Sequence, residues 1–132
     1  MGHKRQALAK SELEVAQVVW KLGEARVRHV VDALAAADPE KKLDFWTVQT
    51  YLRRLKAKGY LRTRREGRAD VYLPAVRPTR VLRDLVNDFV NRLFDGEPLP
   101  LVQHLIGDCG LSDAEIDELQ ATLDKLKKRG QS

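Results

Sequence analysis

Cysteine is almost absent from this chain: among 132 residues Cys109 stands alone. One thiol cannot build an internal disulfide framework, which excludes the small disulfide-rich secreted classes. Long hydrophobic runs are missing too. No apolar stretch approaches the ~20 residues of a spanning helix, and the basic N-terminus MGHKRQALAKSE has no hydrophobic stretch behind it to make a secretory leader. The expectation is a cytoplasmic protein without membrane association. His3, His29, His104 and Cys109 show no ligand spacing, so no metal site is expected. Neither a Gly-rich phosphate loop nor a Ser/His/Asp arrangement occurs, so no cofactor and no enzymatic activity are expected. Internal repeats and low-complexity segments are also lacking.

What is present is charge, unevenly spread. With 43% hydrophobic and 33% charged residues the composition is that of a globular protein. The length allows one ordinary domain, or a minimal domain of about 70 residues plus an appendage that finds its core in a partner. Residues 1–74 hold 16 Lys/Arg against 9 Asp/Glu, whereas residues 75–132 hold 8 against 10. Between residues 45 and 74, Arg53, Arg54, Lys56, Lys58, Arg62, Arg64, Arg65 and Arg68 meet only Glu66 and Asp70. Such a patch suits phosphate binding; a solvated basic face is the plainer alternative.

Periodicity divides the chain in the same place. Ser11-Glu12-Leu13-Glu14 has capping-box spacing and predicts a helix start at Ser11, with Leu13, Val15, Ala16, Val18, Val19, Trp20 and Leu22 on its apolar stripe up to Gly23. Trp20 is expected in the core. Val27, Val30, Val31 and Leu34 predict a second helix that frays near Asp38-Pro39. Asp44 caps a third through Lys58, with Val48, Tyr51, Leu52 and Leu55 inward and Gly59 ending it. After Gly59 the period changes to that of strands. Tyr60–Arg65 and Ala69–Pro74 predict a hairpin joined at Glu66-Gly67-Arg68. Beyond a linker at residues 75–78, Val81, Leu82, Leu85, Val86, Phe89, Val90, Leu93 and Phe94 form a stripe too wide for so short a remainder to bury. Gly96 to Pro100 breaks that helix, Leu101 to Ile106 reads as a short helical turn, and Ser112-Asp113-Ala114-Glu115 starts a last helix. Its Ile116, Leu119, Leu123 and Leu126 have the 3-4-3 spacing of a helix–helix seam. The fold class is mainly α with a small antiparallel β wing: a winged helix-turn-helix over residues 1–75 and a helical dimerisation region over 76–132.

A recognition helix needs one face for its bundle and another for base edges in the major groove. With Val48, Leu52 and Leu55 inward, the third helix leaves Thr47, Gln49, Thr50, Arg53 and Arg54 on outer or flanking faces, and Trp46 at its start is expected to be partly exposed. Gln suits adenine, Arg suits guanine or phosphate, and Thr a phosphate or thymine; ordinary surface polarity is the alternative. Arg64, Arg65 and Arg68 are expected to reach phosphates or the minor groove, the alternative being a hairpin kept basic against edge pairing. Arg28 and His29 read as exposed surface with a phosphate clamp as the second option. Leu82, Leu85, Val86, Phe89 and Leu93, with Ile116, Leu119 and Leu123, are the candidate dimerisation residues. A protein-binding winged helix is the rival class, and it has no need of a basic hairpin.

Leu13-Glu14-Val15-Ala16-Gln17-Val18-Val19-Trp20, Thr47-Val48-Gln49-Thr50-Tyr51-Leu52-Arg53-Arg54-Leu55, Lys58-Gly59-Tyr60-Leu61, and Gly67-Arg68 with Tyr72 together resemble the penicillinase and methicillin-resistance repressors (BlaI/MecI type). The resemblance runs from about Leu8 to Leu126. It implies a winged-helix homodimer on a palindromic double-stranded DNA operator, repressing resistance genes and removed by proteolysis when a membrane sensor detects a β-lactam. Position by position it implies that Thr47, Gln49, Thr50 and Arg54 face the operator and that Arg68 belongs to the wing. Trp46 stands where polar residues are common and Gln49 where a basic one is, and both departures bear on the operator sequence. The Asn-Phe bond cut by the sensor protease corresponds here to His104-Leu105. The cysteine-rich tail of a related copper-responsive branch is absent.

Overall fold

The computed structural model describes residues 6–40 and 43–131; the expectation on His3 lies outside them. The chain divides into two compact units, Met1–Arg83 and Asp84–Ser132. The first holds α1 (Lys10–Leu22), α2 (Val27–Ala37), α3 (Phe45–Ala57), the strands β1 (Leu61–Glu66) and β2 (Ala69–Pro74), and the start of α4 (Pro78–Leu93). The second holds the rest of α4, then α5 (Pro98–Cys109) and α6 (Asp113–Gln131). The expected change of role at residues 75/76 lies just before α4, and the compact units divide within that helix.

The first unit is a three-helix bundle with a two-stranded antiparallel hairpin. Its core is the sum of three helical stripes: Val15, Ala16 and Val19 of α1, Val30 of α2, and Val48, Leu52 and Leu55 of α3 are all fully buried. Full burial of each Val or Leu contributes roughly 1.5–3 kcal/mol, so the 3.6-residue period chooses which face of α3 is left for other work. Leu61, Val71 and Tyr72 close the core from the hairpin side. Tyr51 is only half-buried, at the margin of the α3 stripe. Trp20 is half-buried too, rather than fully in the core, and its indole N–H is out of water without a partner among the described residues.

The start of α1 differs from the expected one. Its N-cap is Ala9, and Ser11 lies inside the first turn. The Glu12 carboxylate accepts the Ala9 N–H at 2.8 Å and the Lys58 ammonium at 2.6 Å, so a tertiary partner from the end of α3 holds the residue that caps the helix. Lys58 Nζ also donates to the Ala7 carbonyl at 3.0 Å, and the Tyr60 hydroxyl donates to the Gln6 carbonyl at 2.7 Å. Glu12 is 2% exposed and the Lys58 side chain 19%. Lys58, counted in the sequence among the phosphate-facing cations, is therefore committed to the fold.

The other caps follow local rules. Asp44 accepts the Thr47 N–H at 2.7 Å and opens α3. Ser112 and Glu115 make the reciprocal capping box of α6, with contacts of 3.0 and 3.2 Å. The expected short turn at Leu101–Ile106 is instead the middle of a 12-residue helix that begins at Pro98. Prolines at 98 and 100 fall in the first turn, where amides have no intrahelical acceptor to lose, so they start the helix rather than delay it.

Burial raises the Glu12 carboxyl, but hydrogen bonds from Lys58 and the Ala9 amide, with the charges of Lys58 and Arg54, outweigh it and hold the group below the ordinary carboxylate range. A depressed folded-state pKa means stability that is present above the unfolded value near 4.5 and lost as pH falls through the folded one. Glu12→Ala strands the Lys58 ammonium and is expected to cost ~3 kcal/mol, the low end for a buried pair because Lys58 keeps some water. Urea unfolding at pH 7 and pH 3 checks this: the gap between variant and parent should narrow at the lower pH.

Candidate nucleic-acid interface

At 100° per residue, the face of α3 opposite Val48, Leu52 and Leu55 carries Trp46, Gln49, Thr50 and Arg53 at i, i+3, i+4 and i+7. Thr47 and Arg54 lie on the flank beside Tyr51. The Thr50 hydroxyl donates to the Trp46 carbonyl at 2.9 Å. The Asp44 carboxyl is lowered chiefly by the Thr47 amide and then by the Thr47 hydroxyl, so that hydroxyl too serves the start of the helix. The Arg54 guanidinium lies 5.9 Å from the Tyr51 ring centroid.

The hairpin stands beside this face because it is tied down on its other side. Register pairs Arg65 with Asp70 and Glu66 with Ala69, leaving Gly67-Arg68 as a two-residue turn. Gly67 has φ 64 there, the sign a tight hairpin turn needs at its first central position. Strand alternation puts Arg64 and Glu66 on one face and Arg65 on the other. On the first face Arg64 makes a two-pronged pair with Glu24 at 3.0 and 3.1 Å and reaches Glu66 at 3.2 Å, while Arg26 approaches Glu66 at 3.5 Å. Hydrogen bonding by Arg64 holds the Glu24 carboxyl below its usual range. Just before α2, Ala25 and Tyr72 exchange backbone hydrogen bonds of 3.0 and 2.8 Å, an isolated antiparallel bridge that adds a third segment beside β2.

Between α2, α3 and the hairpin lies a groove of about 470 Å³. Arg26, Arg28 and His29 line it from the start of α2, Phe45, Gln49 and Arg53 from α3, and Arg65, Arg68, Ala69, Asp70 and Tyr72 from the hairpin. Five arginines face one carboxylate, and Asp70 is 3.6 Å from Arg65. Burial, then the charge of Asp70, raises the Tyr72 hydroxyl pKa against the opposing pull of Arg53, so it stays neutral and links the hairpin to α3. The His29 ring nitrogen accepts the Arg26 N–H at 3.3 Å, closing the first turn of α2.

The fold thus brings Gln49, Arg53, Arg65 and Arg68 together in the groove, sets Trp46 and Thr50 on the same α3 face outside it, puts Thr47 and Arg54 on its flank, and turns Arg64 toward carboxylates. Sequence reasoning left out Arg26 and gave Arg28 and His29 a minor part. Their signal was position: they flank the first turn of a predicted helix, where amides and side chains converge on anions. Among the described residues no group of three or more His, Cys, Asp or Glu is placed to hold a metal, and no helix is long and apolar enough to cross a membrane.

The candidate dimerisation residues lie on α4 and α6. Leu82, Val86, Phe89 and Leu93 of α4 are exposed at 4-3-4 spacing, and Leu85 is half-buried. On α6, Ile116 and Leu123 are exposed and Leu119 half-buried. His104 and Leu105 lie within α5, both exposed, with the His104 ring 3.0 Å from Asp108 one turn on.

A helical bundle with a tethered basic hairpin and a polar outer face on its third helix is a winged-helix DNA-binding repressor. The sequence profile described as penicillinase repressor matches residues 8–125, and the chain belongs to that family. It is 32% identical over 125 residues to the penicillinase repressor of Bacillus licheniformis, covering 92% of this chain and 93% of that one. To the methicillin resistance regulatory protein MecI of Staphylococcus aureus it is 23% identical, over 95% and 99% of the two chains. Streptococcus pneumoniae FabT, solved in complex with DNA, shares the fold at 20% identity and a TM-score of 0.51, with 98% of this chain and 80% of that one covered.

Proposed function

We propose that this chain represses transcription by gripping a palindromic double-stranded DNA operator as a homodimer in the cytoplasm, with β-lactam resistance genes as its targets. The observation that carries the reading is the groove in which Arg26, Arg28, Arg53, Arg65 and Arg68 converge beside the outer face of α3. A helix-sized ridge flanked by cations matches a major groove flanked by phosphates. A protein-binding module would not need that excess. Residues 1–75 take the operator and 76–132 join the copies. Gln49 reads a base, Arg28 and Arg68 take phosphates, and Arg64 is assigned to holding the wing. The names of the relatives support resistance genes as targets.

A mobility-shift titration against the DNA upstream of its own gene, at several salt concentrations, tests this. Arg68→Ala is expected to weaken binding to all sequences and to lower the salt slope by about one unit, the share of a single phosphate, whereas Arg64→Ala should leave the slope unchanged. Gln49→Ala should instead change the preference at one base pair by about 1–3 kcal/mol; an equal loss on operator and random DNA would take Gln49 off the base-reading face.

The homodimer reading rests on the apolar side chains that α4, α5 and α6 leave in water, more than a single folded chain usually exposes. Sedimentation should give a dimer at micromolar concentration. Phe89→Asp should yield monomers that bind the operator weakly, because two linked half-sites raise affinity through effective concentration. A monomeric parent chain would overturn the assignment.

Release by a sensor protease is the weakest-matched part of the family's behaviour. A pocket built for Asn and a large aromatic leaves a polar group unpaired over His104-Leu105, and discrimination of that kind is large. The bond also lies inside α5, so the helix must open first. The expected result is little cutting by the sensor protease of a typical β-lactam system, read by mass spectrometry of the repressor from induced cells. Efficient cleavage after His104 would show the substitution to be tolerated.

A further inference from the structure

The most exposed large hydrophobic side chain among the described residues is Trp46, 70% accessible at the second position of α3. Leaving an indole mostly in water forgoes burial of the largest apolar side chain available, and here the fold covers less than a third of it. Phe45 meets it edge-on, with ring centroids 5.4 Å apart and planes at 81°, and is itself partly exposed at the end of the arginine groove. Trp46 shares its helix face with Gln49, Thr50 and Arg53. The Thr50 hydroxyl proton is spent on the Trp46 carbonyl, so the N-terminal end of this face offers chiefly the indole, an apolar ring with one N–H donor at its edge. Phe45, the edge-on neighbour of Trp46, lines the groove with the five arginines, so a polyanion drawn to those cations meets the start of α3, which favours DNA over an apolar protein surface as the occupant.

In the major groove the one apolar group a base pair displays is the 5-methyl of thymine, and residues near the N-terminus of a recognition helix are the ones that reach base edges. We infer that Trp46 is a specificity-determining residue that packs its indole on thymine methyl groups, so that the operator half-site requires thymine where the start of α3 enters. This rests on the operator-binding reading above and deepens it. Gln49 and Arg53 then read or anchor the positions that follow along the helix, by hydrogen bonds rather than by apolar contact. A cytosine or an adenine in place of that thymine would present an amino donor to the indole, which has no acceptor to offer it.

Replacing thymine by uracil removes the methyl and leaves every hydrogen-bonding group in place, which isolates the contact. Sites are first selected from randomised double-stranded DNA with the full-length protein, then resynthesised with uracil at one symmetric pair of thymines at a time. The parent protein should lose about fourfold in affinity for each methyl removed at the contacted position and nothing at thymines outside the half-sites. Trp46→Ala, checked by its melting temperature to be folded after losing the edge-on contact with Phe45, should bind thymine and uracil versions equally. Equal affinity of the parent for every uracil-substituted site overturns the inference, as does a uracil penalty that survives in Trp46→Ala; an unchanged operator affinity of that variant would assign the indole to a protein partner. Failure to select any site overturns the operator-binding reading itself, and this inference with it.

Discussion

The Lys58 ammonium, held between the Glu12 carboxylate and the Ala7 carbonyl, is the contact on which the geometry of the DNA-binding unit turns. Glu12 is the charged residue buried in the core among the described residues, and a charge there is tolerable only when its partner and its hydrogen bonds are in place. Because Glu12 sits in the first turn of α1 and Lys58 caps the end of α3, the pair ties those two ends together and restrains the roll of α3 about its own axis. The apolar stripe alone tolerates a small rotation. A charged pair with directional bonds does not, and the roll decides which side chains stand outward. Trp46, Gln49, Thr50 and Arg53 share a face through the helical period, and the roll turns that face outward.

A second division of labour operates within the basic hairpin. Arg64 and Arg65 are adjacent in sequence and alike in chemistry, yet strand alternation sends them to opposite faces. Arg64 meets Glu24 and Glu66 and ties the wing to the bundle, while Arg65 enters the groove opposite Asp70. Part of the cationic excess counted in the sequence is thus consumed in positioning the remainder. The groove recovers charge from the start of α2, where Arg28 contributes from outside the basic run and Arg26 is shared between the groove and Glu66. The arginine groove depends on three separate elements meeting, and the Ala25–Tyr72 bridge ties the start of α2 to the wing.

The second unit poses the opposite problem: too much apolar surface and too little to set it against. Phe89 and Phe94 touch, with centroids 6.1 Å apart, but Leu93, Leu99 and Leu126 remain more than half exposed. Helices with a regular apolar stripe and no internal partner gain their stability from association. In the proposed dimer, folding of this unit and pairing of the two half-site readers are one event.

Most of the elements were legible in the sequence because they rest on local rules. The 3.6-residue stripes of α1 to α4, the Asp44 cap, the Ser112–Glu115 box, and the Gly67 turn between two strand-like runs each depend on residues a few positions apart, and each stands where local chemistry puts it. The start of α5 was also a local matter, missed because prolines were read as breakers when the first turn accepts them. What the sequence could not contain was the pairing of distant residues. That Glu12 rather than Ser11 organises the start of α1, that Lys58 and Arg64 are taken by carboxylates 46 and 40 positions away, and that Arg26 and Arg28 join the groove all follow from the tertiary fold. Charge in a sequence is a count, but its use depends on which opposite charge the folded chain brings within hydrogen-bonding distance, and only the packed bundle determines that.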